Sequence, residues 1–257
     1  MRILIINDDG INGPGLAVAE EIAAEFAGPD AEIWVVAPDN ERSGVSHAIS
    51  YVAPTRLTQL AERRFTVDGF PADCALVGLH RVMKDALPDL VISGINRGHN
   101  LAEDVVYSGT AGGAMEAALN GVRAVALSQY YRKSPDAPTD IWEPSRAFGA
   151  EALSKVMAMP WDANVFYNVN FPAVRPENHA GFTVCPQGLR AEATFSVDPF
   201  LAPNGREFQF VRHLTANESA PEGSDARLCI AGWTTITPLR PQLTADDLLA
   251  GARAALA

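Results

Sequence analysis

The chain has 257 residues and a formal net charge of −11, with 31 Asp and Glu against 20 Lys and Arg. Duplex-binding proteins carry a basic excess, so long nucleic acid is not an expected partner. The length is near the size at which one hydrophobic core stops growing, and a single domain over residues 1–257 is expected. No apolar run approaches the ~18 residues of a membrane helix, so no membrane partner is expected. The chain enters an apolar run at once, without a charged-then-apolar leader. Its three cysteines, Cys74, Cys185 and Cys229, are scattered singly. These features predict a cytoplasmic protein with neither a disulfide framework nor a zinc site.

Ile3 to Ile6 is an unbroken apolar run rich in β-branched residues, as in a strand buried on both faces of a parallel sheet. It ends in two adjacent carboxylates, Asp8 and Asp9, and a glycine-rich loop through Gly15. Leu16, Ala19, Ile22, Ala23 and Phe26 follow at helical spacing. Ala31 to Ala37 reads as a second strand, ending at Pro38 and delivering the polar loop Asp39 to Gly44. Ile49 to Leu60 and Arg64 to Val67 read as short exposed strands, a β excursion in place of a crossover helix. Pro71-Ala72-Asp73 opens a helix from about Cys74 to Lys84, with His80 packed on its apolar face and Cys74 buried.

Pro88 to Ser93 is a third buried strand, running into the Gly94 to Asn100 loop. Tyr107-Ser108-Gly109-Thr110 then leads into a small-residue helix, Ala111 to Leu119, closed by Gly121. Val122 to Leu127 is a fourth strand. Beyond Ser128 the pattern predicts a helix over Ser145 to Met159 and a strand over Val165 to Phe171. Short strands with long polar connections are expected from Pro172 to Arg227, where His179 and His213 fall. A strand over Leu228 to Ile236 and a helix over Thr244 to Ala257, capped by Thr244, complete the chain. Strands alternating with helices define the fold class: α/β, a Rossmann-like, doubly wound, mostly parallel sheet with a β-hairpin excursion and a C-terminal extension. Residues 1–128 form the core, and roughly 172–257 the extension.

In open α/β sheets, ligands bind outside the carboxyl ends of the strands. Three strand ends there offer oxygen: Asp8 and Asp9, Ser43, and Asn96. Two adjacent acids repel and call for a counter-ion. Carboxylates, a hydroxyl and an amide suit a hard cation such as magnesium, manganese or calcium. Ser108, Gly109 and Thr110 stand at a helix N-terminus, where N–H groups and the dipole favour an anion. Alone, each residue reads as a turn or cap; their joint placement after consecutive strands describes a metal beside an anion hole, a layout for phosphoester hydrolysis by a metal-activated water. His47 follows Ser43 closely.

These residues carry a resemblance. Asn7-Asp8-Asp9-Gly10, Ala37-Pro38-Asp39 with Arg42-Ser43-Gly44, Ser93 to Asn100, and Tyr107 to Thr110 with Glu116 resemble the SurE family of survival-protein nucleotidases. Asp73-Cys74 and Ile236 to Leu239 also fit. The resemblance implies a metal-dependent phosphatase acting on nucleoside 5′-monophosphates, with one divalent cation (Mg2+ or Mn2+) on Asp8, Asp9, Ser43 and Asn96. It implies catalytic roles for Asp8 and Asp9, and phosphate binding at Asn96, Ser108, Gly109 and Thr110. It also implies a homodimer or homotetramer with an exchanged C-terminal segment. His99 stands where the family usually has proline, and Trp233 where tyrosine is common. The region from Pro172 to Arg227 matches poorly.

Three other readings use parts of the same pattern. An aspartyl-phosphate phosphatase would use Asp8 as nucleophile, but position 10 is glycine and no lysine follows the fourth strand. A receiver-type signalling module has a similar acidic pair but is about half this length. A metal-dependent nucleotide-binding protein without turnover would use the same ligands.

Overall fold

Ile3, Leu4, Ile5 and Ile6 are all fully buried, the condition of a parallel strand covered by helices on both sheet faces. Burial of each such side chain contributes about 1.5–3 kcal/mol. The computed structural model describes residues 1–192, 194–214 and 217–256. Its strands are β1 (Arg2–Ile6), β2 (Glu32–Pro38), β3 (Leu57–Ala61), β4 (Arg64–Val67), β5 (Leu90–Arg97), β6 (Ala124–Gln129), β7 (Phe166–Phe171), β8 (Gly181–Val184), β9 (Phe195–Leu201), β10 (Glu207–His213) and β11 (Trp233–Leu239). Its helices are α1 (Pro14–Ala27), α2 (Pro71–Val77), α3 (Asp104–Tyr107), α4 (Gly109–Leu119), α5 (Glu143–Met157), α6 (Asp225–Ile230) and α7 (Leu249–Ala254).

Nine strands form one sheet in the order β3-β4-β2-β1-β5-β6-β7-β11-β8. From β4 to β7 every pairing is parallel. At the edges β3 runs antiparallel to β4, and β11 antiparallel to β7. β9 and β10 form a separate antiparallel hairpin. Period-two alternation divides β1: Ile3 and Ile5 pack with Leu16, Ile22 and Leu153 of α1 and α5, whereas Leu4 and Ile6 pack with Cys74, Ala114 and Ala117 of α2 and α4. From β1 the chain winds outward through β2 to β4, then returns to the other flank of β1 and winds outward through β5, β6 and β7. The switch in direction falls between β1 and β5, and their carboxyl ends flank the crevice expected there. No helix among the described residues is long and apolar enough to cross a membrane.

The structure corrects six readings. Residues 49–56 are loop, because Asp73 accepts hydrogen bonds from the backbone N–H and hydroxyl of Ser50. β4 is not exposed: Phe65, Thr66 and Val67 are buried against β2. His80 is exposed and pairs with Asn120. Leu228 to Ile230 is helical, since Ala226 and Cys229, three apart, bury one face of α6 against Leu101, Ala102 and Ala220. The terminal helix is confined to α7 after a 3-10 turn, Asp246–Leu248, so Thr244 caps neither; no residue of either segment is buried, and Ala257 lies outside the described residues. β5 also runs four residues further than expected, carrying Asn96 and Arg97 as strand residues.

The first turn of α1 lies against β5: a Cβ on Gly15 would stand 1.9 Å from the Ile95 carbonyl oxygen and 2.9 Å from the Trp142 ring. Gly15→Ala is expected to cost roughly 1–3 kcal/mol or more in urea unfolding. Gly251→Ala in α7 meets nothing within 4 Å and should gain up to ~1 kcal/mol of helix propensity. An unchanged midpoint for Gly15→Ala would show that α1 does not seat on β5 as described.

Candidate active site

The loop after β1 is closed by Asn7, whose side-chain amide donates to the Gly10 carbonyl at 2.9 Å. Asp8 follows, 4% exposed. Its carbonyl accepts from Arg42 N at 2.7 Å, which ties the β2 loop to the end of β1. Its carboxylate accepts from the Thr110 hydroxyl at 2.7 Å and from Thr110 N at 3.2 Å. Burial raises the Asp8 pKa to about 7; the Thr110 hydrogen bonds oppose this and the charge of Asp9 adds to it. Gly109 packs closely beside it: a Cβ there would stand 3.0 Å from the Asp8 Cβ. The Asp9 carboxylate accepts from Arg97 N at 3.1 Å and so spans the switch point from β1 to β5. Burial raises its pKa as well, against the Arg97 N–H, with the charge of Glu41 adding.

A crevice of about 510 Å³ opens at this edge, within the range of small-molecule sites. Asp8, Ser43, Asn96 and Ser108 all line it. Ser43 is exposed and donates to Glu41 at 2.8 Å. The Asn96 amide nitrogen donates to the Gly98 carbonyl at 3.1 Å, so a cation at Asn96 would meet its side-chain oxygen. The Ser108 hydroxyl accepts from Ala111 N at 2.9 Å and caps α4. Asp9, Gly109 and Thr110 do not line the crevice; both Thr110 donors are directed to Asp8. Among the described residues no three His, Cys, Asp or Glu side chains are placed to hold a metal. The donor set that does converge is of hard oxygens, from carboxylate, hydroxyl and amide, and it fits a magnesium-like or manganese-like cation.

Sequence reading missed the rest of the wall: Arg97, His99, Tyr107, Tyr130, Tyr131, Phe195 and His213 also line the crevice. Tyr107 and Phe195 meet edge to face at 4.9 Å, and so do His99 and Tyr130. Behind them, Arg190 forms a bidentate pair with Asp104 at 3.0 and 2.8 Å and reaches Glu103 at 3.1 Å. Burial opposes ionisation of Asp104, but the hydrogen bonds from His213 and Arg190 and the adjoining His99 ring outweigh it and hold that carboxylate well below the usual range. The acidic pair Glu103-Asp104 was a visible signal; Arg190, in a segment without clear periodicity, gave none. His47 pairs with Glu116 at 2.7 Å and joins the Ser43 loop to α4.

Fold and site define an α/β protein with an oxygen-lined ligand crevice at the switch point of its sheet. The chain belongs to the SurE family: the family described as Survival protein SurE matches residues 3–194. It is similar to the 5′-nucleotidase SurE of Ruegeria pomeroyi, 48% identical over 261 residues covering 100% of both chains. It is 49% identical over 254 residues to the 5′-nucleotidase SurE of Roseobacter denitrificans, covering 97% of each. Among solved structures it is similar to the SurE protein of Aquifex aeolicus, with a TM-score of 0.83 and 31% identity over 100% of both chains.

The Asp8 shift has a definite sign. Its folded pKa, about 7, exceeds its ordinary 3.8, so in metal-free protein its protonation favours the fold at low pH, and that stability is lost as pH rises through about 7. Asp8→Asn cannot ionise, so in EDTA it should be more stable than wild type at about pH 8 and lose that advantage by about pH 4. Urea unfolding at the two pH values checks this; a variant less stable at the higher pH would contradict the burial described.

Proposed function

We propose that the protein is a divalent-metal-dependent 5′-nucleotidase that hydrolyses nucleoside 5′-monophosphates to nucleoside and inorganic phosphate. The observation that carries this is one crevice with hard oxygen donors at a sheet switch point, a capped helix N-terminus beside them, and a wall of aromatic rings. The names of the full-length relatives support the same substrate class.

In this reading Asp8, Asp9, Ser43 and Asn96 hold one cation, Mg2+ or Mn2+. A bound cation would polarise the phosphoryl group and activate water. Thr110 fixes both Asp8 oxygens, which supports a positioned ligand over a mobile nucleophile. Asn96 and Ser108 face the phosphate, while Gly109 and Thr110 act through Asp8. Tyr107, Tyr130 and Phe195 supply flat apolar faces against which a base can stack. Three buried, unpaired cysteines support a reducing, cytoplasmic setting. We extend the proposal to a homodimer or homotetramer, supported by exposed Val197, Phe200, Leu201, Phe208, Phe210 and Val211 on the β9–β10 hairpin.

Phosphate release from a panel of nucleoside monophosphates is expected to stop in EDTA and return with manganese or magnesium; release unaffected by EDTA would overturn the metal-dependent reading. Asp8→Asn should cut turnover by ~10²-fold or more while still folding. Ser43→Ala and Asn96→Ala should each raise the metal concentration giving half-maximal rate. An unchanged requirement in both would remove them from the metal.

A further inference from the structure

The crevice also holds two imidazoles that the proposed phosphatase reading leaves unused. His213, the last residue of β10, sets Nε2 2.9 Å from Asp104 Oδ1. His99, beyond β5, sets Nδ1 3.0 Å from Asp104 Oδ2, though out of line for a hydrogen bond, and Nε2 3.3 Å from the Asn217 amide nitrogen. Asp104 cannot swing, because Arg190, whose side chain is fully buried, grips both its oxygens. A fixed carboxylate orienting an imidazole whose other nitrogen serves the substrate is a recurrent catalytic device.

The two rings are not equivalent. The His99 side chain is 7% exposed, with Nε2 on Asn217 and Nδ1 turned to the buried Asp104, and it lies between Tyr130, 4.9 Å away, and His213, 6.0 Å away. The His213 side chain is 37% exposed, and only its Nε2 is committed to Asp104. The charged groups around it are Asp104 directly, with His99, Arg190 and Glu103 joined through that cluster. Phe195 packs beside the ring at 5.4 Å, backed by Tyr107.

A sugar alkoxide is a poor leaving group and needs a proton as it departs. Of the other acids lining the crevice, Asp8 is given to the cation in the phosphatase reading, Asp104 is held ionised and the tyrosines are weak. An imidazolium has suitable strength. We propose that His213, oriented by Asp104, donates the proton to the leaving nucleoside oxygen, a role that rests on the phosphatase reading above. Water oxygen bonds to phosphorus, and the bond from phosphorus to O5′ breaks with its electron pair going to O5′. The Nδ1 proton of the imidazolium passes to O5′. The proton shed by the attacking water restores the imidazolium through solvent, so the sum is ester plus water to alcohol plus phosphate. His99 and Arg190 are positioning residues that hold Asp104.

The test compares a nucleoside monophosphate with p-nitrophenyl phosphate, whose leaving group needs no proton. His213→Gln keeps an amide N–H for Asp104 but cannot titrate. It should lower kcat about 10²-fold on the nucleotide and less than about 3-fold on p-nitrophenyl phosphate. In the wild type, kcat on the nucleotide should fall at the basic end of its pH profile, and p-nitrophenyl phosphate should lack that limb. Equal losses on both esters, or no loss on either, would overturn the assignment, as would matching wild-type pH profiles should the variant fail to fold. Wild-type protein that hydrolyses neither ester with any metal would instead defeat the phosphatase reading itself.

Discussion

The site depends on holding one buried carboxylate. Asp8 sits at the carboxyl end of the central strand, almost without solvent, beside a second acid. Such a group must be supplied with donors. They come from Thr110, 102 positions away in the chain, through its hydroxyl and its backbone N–H. The contact docks the start of α4 against the end of β1, and the absent Cβ of Gly109 lets the two approach. Ser108, one turn residue earlier, is thereby presented to the crevice while capping the same helix. His47 and Glu116 then hold the Ser43 loop to that helix. The Asp8 carboxylate thus docks the start of α4 on the end of β1, and the Ser43 loop is tied to both.

The loop after β5 is held differently. Asn100 N donates to Asn170, its carbonyl accepts from Asn168 and Asn170, and its side chain reaches Ser128. These polar residues lie on β6 and β7 and are fully buried, and their hydrogen bonds to Asn100 offset much of the cost of a polar sheet end, although the Asn168 side-chain oxygen has no partner. Asp225 extends the same logic from α6, accepting from Ala102 N and Gly188 N. Burial raises its pKa, and those backbone donors oppose the rise. The residues beyond β7 are therefore tied into the wall of the crevice.

What was legible in the sequence was local. Asp8, Ser43 and Asn96 could be placed because each ends an apolar run, and a parallel sheet gathers such ends at one edge. Thr110 could be placed at a helix N-terminus, but its direction toward Asp8 is a contact across 102 residues that no periodicity reports. Leu228 to Ile230 read as strand because a short apolar run has no period of its own; two buried positions three apart decided for helix. Residues 49–56 lost their strand to Asp73, a side chain more than twenty positions ahead. The C-terminal pattern predicted a long helix that finds no apolar partner within the described residues and shortens to α7. Arg190 and His213 escaped because their meaning lies in Asp104, which either could reach only after the fold had formed.

The lining of the crevice is drawn from two parts of the chain. Asp8, Ser43, Asn96 and Ser108 come from loops of the first parallel strands, rigidly interlocked through Asp8. Tyr130, Tyr131, Phe195 and His213 come from beyond β6, and the last two ride on the β9–β10 hairpin, outside the main sheet. Changes in the hairpin can therefore alter what stacks beside the substrate, or how its leaving oxygen is met, without disturbing the oxygen donors. The link between the two parts is α3: Asp104 receives Arg190 and His213, while Tyr107 leads directly into Ser108 and the start of α4. Four residues of helix couple the hairpin's imidazole to the helix N-terminus that holds Asp8.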